Sequence, residues 1–154
     1  MDVFSIITAV VAVWGAVLST IIYLGNRKAN RRTLSVSLAV GIDPYSQDRK
    51  PLLLTTVANP SLRTITVQGY ELDIGNKRRL LIPNPSADVK LPHTLQGGQS
   101  CHFWIPISDV ACQFSPDDPS GIARVSAVVN DAVGGVHRSA PLVGNVSDWL
   151  SSIN

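Results

Sequence analysis

From Val3 to Leu24 the chain runs 22 residues without a charged side chain. No other feature limits the fold as much. As an α-helix rising about 1.5 Å per residue, the run is about 33 Å long, enough to cross a hydrocarbon core of about 30 Å. No proline interrupts it, and a helix satisfies its own backbone hydrogen bonds, the condition for crossing lipid. Tyr23 falls at the end of the run, where its hydroxyl reaches headgroups, whereas Trp14 falls near the middle, away from the usual aromatic belt. A cleaved leader fits less well. No Lys or Arg precedes the run, only the charge of Asp2; the run exceeds a usual signal-peptide core, and no small-x-small cleavage site stands before the basic residues that follow. Residues 1–25 are therefore expected to be a permanent transmembrane anchor.

Arg27, Lys28, Arg31 and Arg32 follow in a basic juxtamembrane linker, 26–32, and no Lys or Arg precedes the helix. The positive-inside rule then places the N-terminus outside and the rest in the cytoplasm, at the inner membrane. Contact of these cations with anionic lipid contributes about 1 kcal/mol per charge near the surface. The net charge of +2 comes from this flank. Taking these four from the 13 Lys and Arg leaves 9, and taking Asp2 from the 11 Asp and Glu leaves 10, so the chain from Thr33 onward carries −1. A nucleic-acid-binding domain needs a basic surface of its own. The one further cluster, Lys77-Arg78-Arg79, reads as a solvated hairpin, and no nucleic-acid partner is expected. Along the helix, Ser5, Ala9, Ala12, Ala16 and Ser19 share one stripe, and Thr8, Ala12, Gly15 and Ser19 an overlapping one. Small residues let helix backbones approach closely, so self-association into a homo-oligomer is a second expectation for the segment. The competing explanation is the general abundance of small residues in such helices.

From Thr33 the period changes from helical to alternating. Val36, Leu38, Val40 and Ile42 point one way and Ser35, Ser37, Ala39 and Gly41 the other, the pattern of a half-buried strand. A turn at Asp43-Pro44-Tyr45-Ser46 leads to a second strand, Leu52 to Ala58, stopped by Asn59-Pro60-Ser61. A third, Thr64 to Ile74, carries Ile65 and Val67 in one phase and Tyr70, Leu72 and Ile74 in the other; a β-bulge at Gly69 accounts for the slip. Gly75-Asn76 reads as a two-residue hairpin turn into Lys77 to Ile82. Pro83, Pro85 and Pro92 restrict the next stretch to short edge pieces. After a turn at Gly97-Gly98, Cys101, Phe103, Ile105 and Ile107 alternate with Ser100, His102, Trp104 and Pro106 as another strand. Ser108 is placed to cap a helical turn over Val110 to Phe114, and Pro116 to Gly121 is a loop. Val125, Ala127 and Val129 mark a strand, Asn130 to Gly135 a turn, and Val136 to Ala140 the returning partner. Ser147 is placed to cap a short terminal helix or tail, 147–154, whose Trp149, Leu150 and Ile153 share a side and pack back onto the domain rather than dock a partner.

Short strands at this spacing suit a mainly β class: an antiparallel immunoglobulin-like β-sandwich over residues 33–146, after the transmembrane helix, with a small β-barrel as alternative. The Cys…Trp…Cys arrangement of antibody domains is absent. Val57-Ala58-Asn59-Pro60-Ser61-Leu62-Arg63-Thr64-Ile65-Thr66-Val67 resembles a strand–turn–strand element of bacterial immunoglobulin-like modules, and Leu91-Pro92 to Gly97-Gly98-Gln99 and Val129-Asn130-Asp131 to Gly134-Gly135 resemble loops of such modules. In layout the chain is similar to small single-pass membrane proteins of bacteria and their phages that carry such a domain. The resemblance implies a fold and a lineage and brings no activity with it.

Candidates for chemistry are few. His93, His102 and His137 form no HExxH or other metal-spaced pair. Adjacent Cys101 and His102 face opposite sides of a strand and do not easily share an ion. Cys101, on the apolar side, reads as a buried structural thiol; pairing with Cys112 would follow only if the domain lay outside the cytoplasm. No GxSxG elbow, phosphate loop or dinucleotide fingerprint occurs. Asp117-Asp118 reads as a solvated loop pair, with weak cation binding second, and Asp131 as a turn former. No catalytic residue, cofactor or metal ligand is expected. The chain is thus expected to be a non-enzymatic interaction or scaffold module, tethered to the bilayer and serving a protein partner. The alternative makes the helix the active part, in a phage or prophage membrane protein that acts on the envelope in lysis or superinfection exclusion. An enzyme with a cryptic site is the least favoured option.

Overall fold

In the computed structural model residues 2–29, 32–42, 50–82, 85–114 and 122–151 are described. The chain is mainly β, with an N-terminal apolar helix and antiparallel sheets. Helix α1 (Val3–Ala29) is followed by β1 (Ser35–Ile42), β2 (Pro51–Ala58), β3 (Ile65–Asp73), β4 (Arg79–Leu81), β5 (Ser86–Ala87), β6 (His93–Leu95) and β7 (Ser100–Pro106). Then come α2 (Ile107–Ala111), β8 (Ile122–Asp131), β9 (Val136–Arg138), β10 (Leu142–Asn145) and α3 (Val146–Ser151). One sheet has the order β1-β2-β7-β5; the other has the order β10-β8-β3-β4, with β6 added to β3 and β9 to β8.

Alternation decides what each strand buries. Leu53, Thr55 and Val57 of β2 and Cys101, Phe103 and Ile105 of β7 point inward; Val67, Tyr70 and Leu72 of β3 and Val125, Ala127 and Val129 of β8 meet them from the other sheet. The rings of Tyr70 and Phe103 stack across the gap with centroids 4.9 Å apart. The register between β3 and β8 shifts between Val67 and Gly69, which is the bulge the phase slip called for. Without that extra residue Tyr70 and Leu72 would face water.

Several expected boundaries move, each for a physical reason. The turn after β3 is longer than Gly75-Asn76. Gly75, Asn76 and Lys77 all adopt positive φ, the Ile74 N–H bonds the Arg78 carbonyl, and β4 starts only at Arg79. Ser108 caps nothing: α2 begins directly after Pro106, so that Ile107, Val110 and Ala111 bury one face, and the Ser108 hydroxyl donates to Asp109. Burial has outweighed the cap preference. Asn145, not Ser147, caps α3; its Oδ1 accepts the Ser147 N–H (3.0 Å) and hydroxyl (2.8 Å). Strand β10 was not expected, because Leu142-Val143-Gly144-Asn145 is too short to show a period. Its Gly144 leaves room for the Trp149 indole, which packs edge-on against Phe114. In β1, Val36 and Leu38 pack on the core, but Val40 and Ile42 are 51% and 64% exposed, because no described residue covers that end of the edge strand. The turn expected at Asp43 to Ser46, the loop at Pro116 to Gly121, and Pro83 and Ile153 lie outside the described residues.

The turn after β2 is held by a buried side chain. Asn59 Nδ2 donates to the carbonyls of Arg63 (2.7 Å) and Leu95 (3.0 Å), while Oδ1 accepts from the Ser61 N–H and hydroxyl. Replacing Asn59 with Ala strands these partners, some of them buried. N59A is expected to lose about 2–3 kcal/mol of stability, measured by denaturant unfolding of the full chain in detergent, whereas R63A, which leaves the Arg63 carbonyl in place, should change it little.

Candidate functional site

The features that bear most on function lie where the apolar helix meets the β domain. The span Val3–Asn26 has a mean hydropathy of 2.2, and none of it is buried inside the protein. By length and composition it is sufficient to cross a membrane. Thr8 and Thr20 donate to the carbonyls of Phe4 and Ala16 at 2.8 Å, so their hydroxyls are satisfied within the helix. The helix runs on to Ala29, into the expected linker, and takes in Arg27 and Lys28 in its last turn. Arg32 is exposed beyond it, and Arg31 lies outside the described residues. Ser5, Ala12, Gly15, Ala16 and Ser19 are exposed, and Ala9 lies in the same helix.

The entry into the β domain is built by His137. Leu34 is buried just before β1, and its N–H donates to His137 Nδ1 (3.2 Å). An imidazole that accepts at Nδ1 carries its proton on Nε2, and Nε2 lies 3.2 Å from Asp131 Oδ2. Asp131 Oδ1 accepts the N–H groups of Val133 (3.0 Å) and Gly135 (2.6 Å). The approach is so close that a Cβ on Gly135 would strike the carboxylate. One carboxylate therefore shapes the turn after β8 and, through His137, holds the first buried residue of the domain. Burial alone would raise the Asp131 pKa; the hydrogen bonds from His137, Gly135 and Val133 outweigh it, so the carboxyl titrates below its ordinary 3.8. Both ring nitrogens of His137 are engaged, which leaves no free lone pair for general-base chemistry. The sequence marked Asp131 as a turn former but did not link it to His137 or Leu34; only an Asp six residues before a His across a Gly-Gly turn hinted at it.

A second carboxylate–imidazole pair lies on the open face of the first sheet. Asp88 accepts the His102 N–H and contacts Nδ1, both at 2.9 Å. Register puts Thr56 and Ser37 in the same cross-strand row as His102. Among the described residues no hydrogen bond links Thr56 to His102, and the pair is exposed, as a cross-strand contact on a solvated face is. His93 is half-buried on β6. Cys101 is fully buried, and burial, with the Asp88 charge adding to it, pushes its thiol up to about 11. Cys112 is free and exposed. Asp117 and Asp118 lie outside the described residues, and among the described ones no three His, Cys, Asp or Glu side chains gather as a metal site. Lys77, Arg78 and Arg79 are exposed, with Arg79 paired to Glu71 at 3.2 Å.

No protein-family model matches the chain, nor does any curated protein.

The lowered Asp131 pKa favours the folded state above the ordinary carboxylate value, and that contribution is lost as pH falls below about 4. Unfolding midpoints from pH 7 downward should therefore drop less steeply for D131N than for the unaltered chain, since Asn keeps the acceptor toward the Val133 and Gly135 amides but does not ionise. Thiol reactivity separates the cysteines. At neutral pH a maleimide should modify one thiol, Cys112, in the native protein and both after denaturation, counted by mass spectrometry.

Proposed function

We propose that the chain is a membrane-tethered, non-catalytic interaction module. Helix α1 crosses the inner membrane with its N-terminus outside, and an immunoglobulin-like β-sandwich works in the cytoplasm close to the headgroups, presenting a sheet edge or loops to a protein partner. The observation that carries this is α1 itself: a 24-residue apolar span in which no described residue is buried by the rest of the chain, which in water would be a liability and in lipid is at home. Arg27, Lys28 and Arg32 on its C-terminal flank favour the stated orientation and a contact with anionic lipid. Two antiparallel sheets around one core, with β1 and β5 ending one of them, favour a sandwich over a closed barrel.

For partner binding, β1 is the favoured edge. Among the described residues it pairs with β2 alone, and its eight residues, SVSLAVGI, include no charge and no proline to blunt it. An extended segment of a partner can add there as a further strand. The polar side chains with the most defined geometry, Asn59, Asp131 and His137, are occupied in holding turns and the domain entrance, which favours a scaffold over a catalyst. The uncovered stripe of small residues supports helix pairing in the same membrane.

In intact cells, with Cys101 and Cys112 replaced, an impermeant thiol reagent should label Ser5→Cys and spare Ser151→Cys; the opposite pattern would reverse the topology. Exchanging Val3–Leu24 for poly-Leu should leave cross-linked capture of the partner intact. Loss of capture would move the function to the helix, as in an envelope-acting protein.

A further inference from the structure

The end of the domain that receives the chain from α1 is built from turns. Ser35 pairs with Ala58, so the turn that begins at Asn59 starts level with Leu34. The turn over residues 96–99 packs beside it: the Gly98 N–H donates to the Asn59 carbonyl (2.8 Å), and a Cβ on Gly97 would strike the Ser61 carbonyl. The turn after β8 lies at the same end, because His137 joins Asp131 to the Leu34 N–H. Exposed aliphatic side chains stand on these turns. Among the described residues Leu62, at 77%, is the most exposed large apolar side chain outside α1, and Val133 is 65% exposed. Neither sits on a loose loop. Asn59 fixes the first turn through the Arg63 and Leu95 carbonyls, and Asp131 fixes the second through the Val133 N–H. Arg63, next to Leu62, is exposed, and its carbonyl rather than its side chain serves the turn. Arg32 and Val133 line one small depression of about 180 Å³ together with Thr64 and Thr66. Residues 30–34, 59–64, 96–99 and 131–135 contain three arginines and one acid. That acid, Asp131, is buried and bonded within its own turn.

We propose that this end of the domain docks on the surface of the bilayer that α1 crosses, with Leu62 and Val133 entering the headgroup layer and Arg32 and Arg63 meeting the phosphates of anionic lipids. The proposal rests on the membrane reading of α1. On that reading the chain leaves the helix at Ala29 and is buried at Leu34. The five residues between those points span at most about 18 Å. The turns that carry Leu62 and Val133 therefore stay within reach of the headgroups whatever angle the helix takes. A tether this short gives lipid a high effective concentration at the turns, so contacts too weak to hold a free domain are populated. Aliphatic side chains gain on leaving water for the interface, and basic side chains beside them add attraction to anionic lipid. Exposure alone does not single out this end. Ile122 is exposed as well, but it lies at the other end of β8 from Asp131, about 30 Å off, and has no tether to bring it to the same surface.

The test places the full chain in nanodiscs of phosphatidylcholine, with and without phosphatidylglycerol, and puts a gadolinium chelate on a fraction of the headgroups. The amide NMR signals of Leu62, Arg63 and Val133 should lose intensity, and those of Gly75 and Asn76, on the turn after β3 at the other end of the domain, should keep it. The loss should be greater with phosphatidylglycerol present. L62S combined with V133S should abolish the difference between the two ends without moving the unfolding midpoint, since both side chains are exposed. R63Q should lower the docking constant in phosphatidylglycerol about fivefold, the share of one basic residue near an anionic surface, which guards against a folding defect in the double variant. In a parallel sample, spin-labelled acyl chains should broaden the Ala12 and Gly15 signals of α1. Broadening of α1 with no difference between the ends of the domain, or a difference that survives both the double variant and R63Q, overturns the docking and leaves the membrane reading standing. An α1 untouched by the acyl-chain label overturns both.

Discussion

The two sheets depend on Tyr70. Its ring stacks on Phe103 of the opposite sheet, and its hydroxyl shares a 2.7 Å hydrogen bond with Thr55 of that sheet. A single side chain thus supplies apolar area to the core and closes the one buried hydroxyl that faces it, which an aromatic with a polar tip can do. Burial pushes the Tyr70 pKa up to about 12, against a smaller opposing effect of the Thr55 hydrogen bond. The phenol therefore stays neutral at physiological pH, and no buried charge has to be compensated. All this depends on the extra residue between Val67 and Gly69. The bulge turns Tyr70 and Leu72 inward; a regular strand would have turned them out.

Around that centre, buried polar side chains fasten turns. Asn59 ties the turn after β2 to the Leu95 carbonyl, and Asp131 ties the turn after β8 to His137. Among the described residues no buried side-chain nitrogen or oxygen lacks a partner, as a unique, well-ordered packing requires. Asp131 and His137 also settle how the chain enters the domain, because His137 accepts the Leu34 N–H.

The two ends of the domain differ in chemistry. The Leu34 end is closed by satisfied hydrogen bonds and adjoins the segment that bears Arg32. The far end presents Arg78 and Arg124 beside edges of Ile74 and Phe114.

Much of the fold was legible before any tertiary contact was known. The apolar run of α1, the alternation in β1, β2 and β7, and the phase slip at Gln68-Gly69 are local patterns, and local patterns are what a sequence displays. Cys101 on the inner face and Trp149 packed back on the domain follow from the same periodicity. Less legible were the ends of elements. Ser108 and Ser147 carry good capping side chains, yet α2 starts where Ile107 can be buried and α3 where Asn145 ends β10. Cap preference is worth about 1 kcal/mol and burial of an aliphatic side chain about twice that. What the sequence by itself determined is an apolar helix of membrane-spanning length, a basic flank, and strands whose inner faces can be counted, because each depends on spacing along the chain. What only the tertiary structure decided is which distant residues meet: Asp131 with His137 and, through it, Leu34, Tyr70 with Thr55 and Phe103, and Asn59 with Leu95. Those encounters are set by strand order and register, which arise from packing two sheets together and leave no period in the sequence.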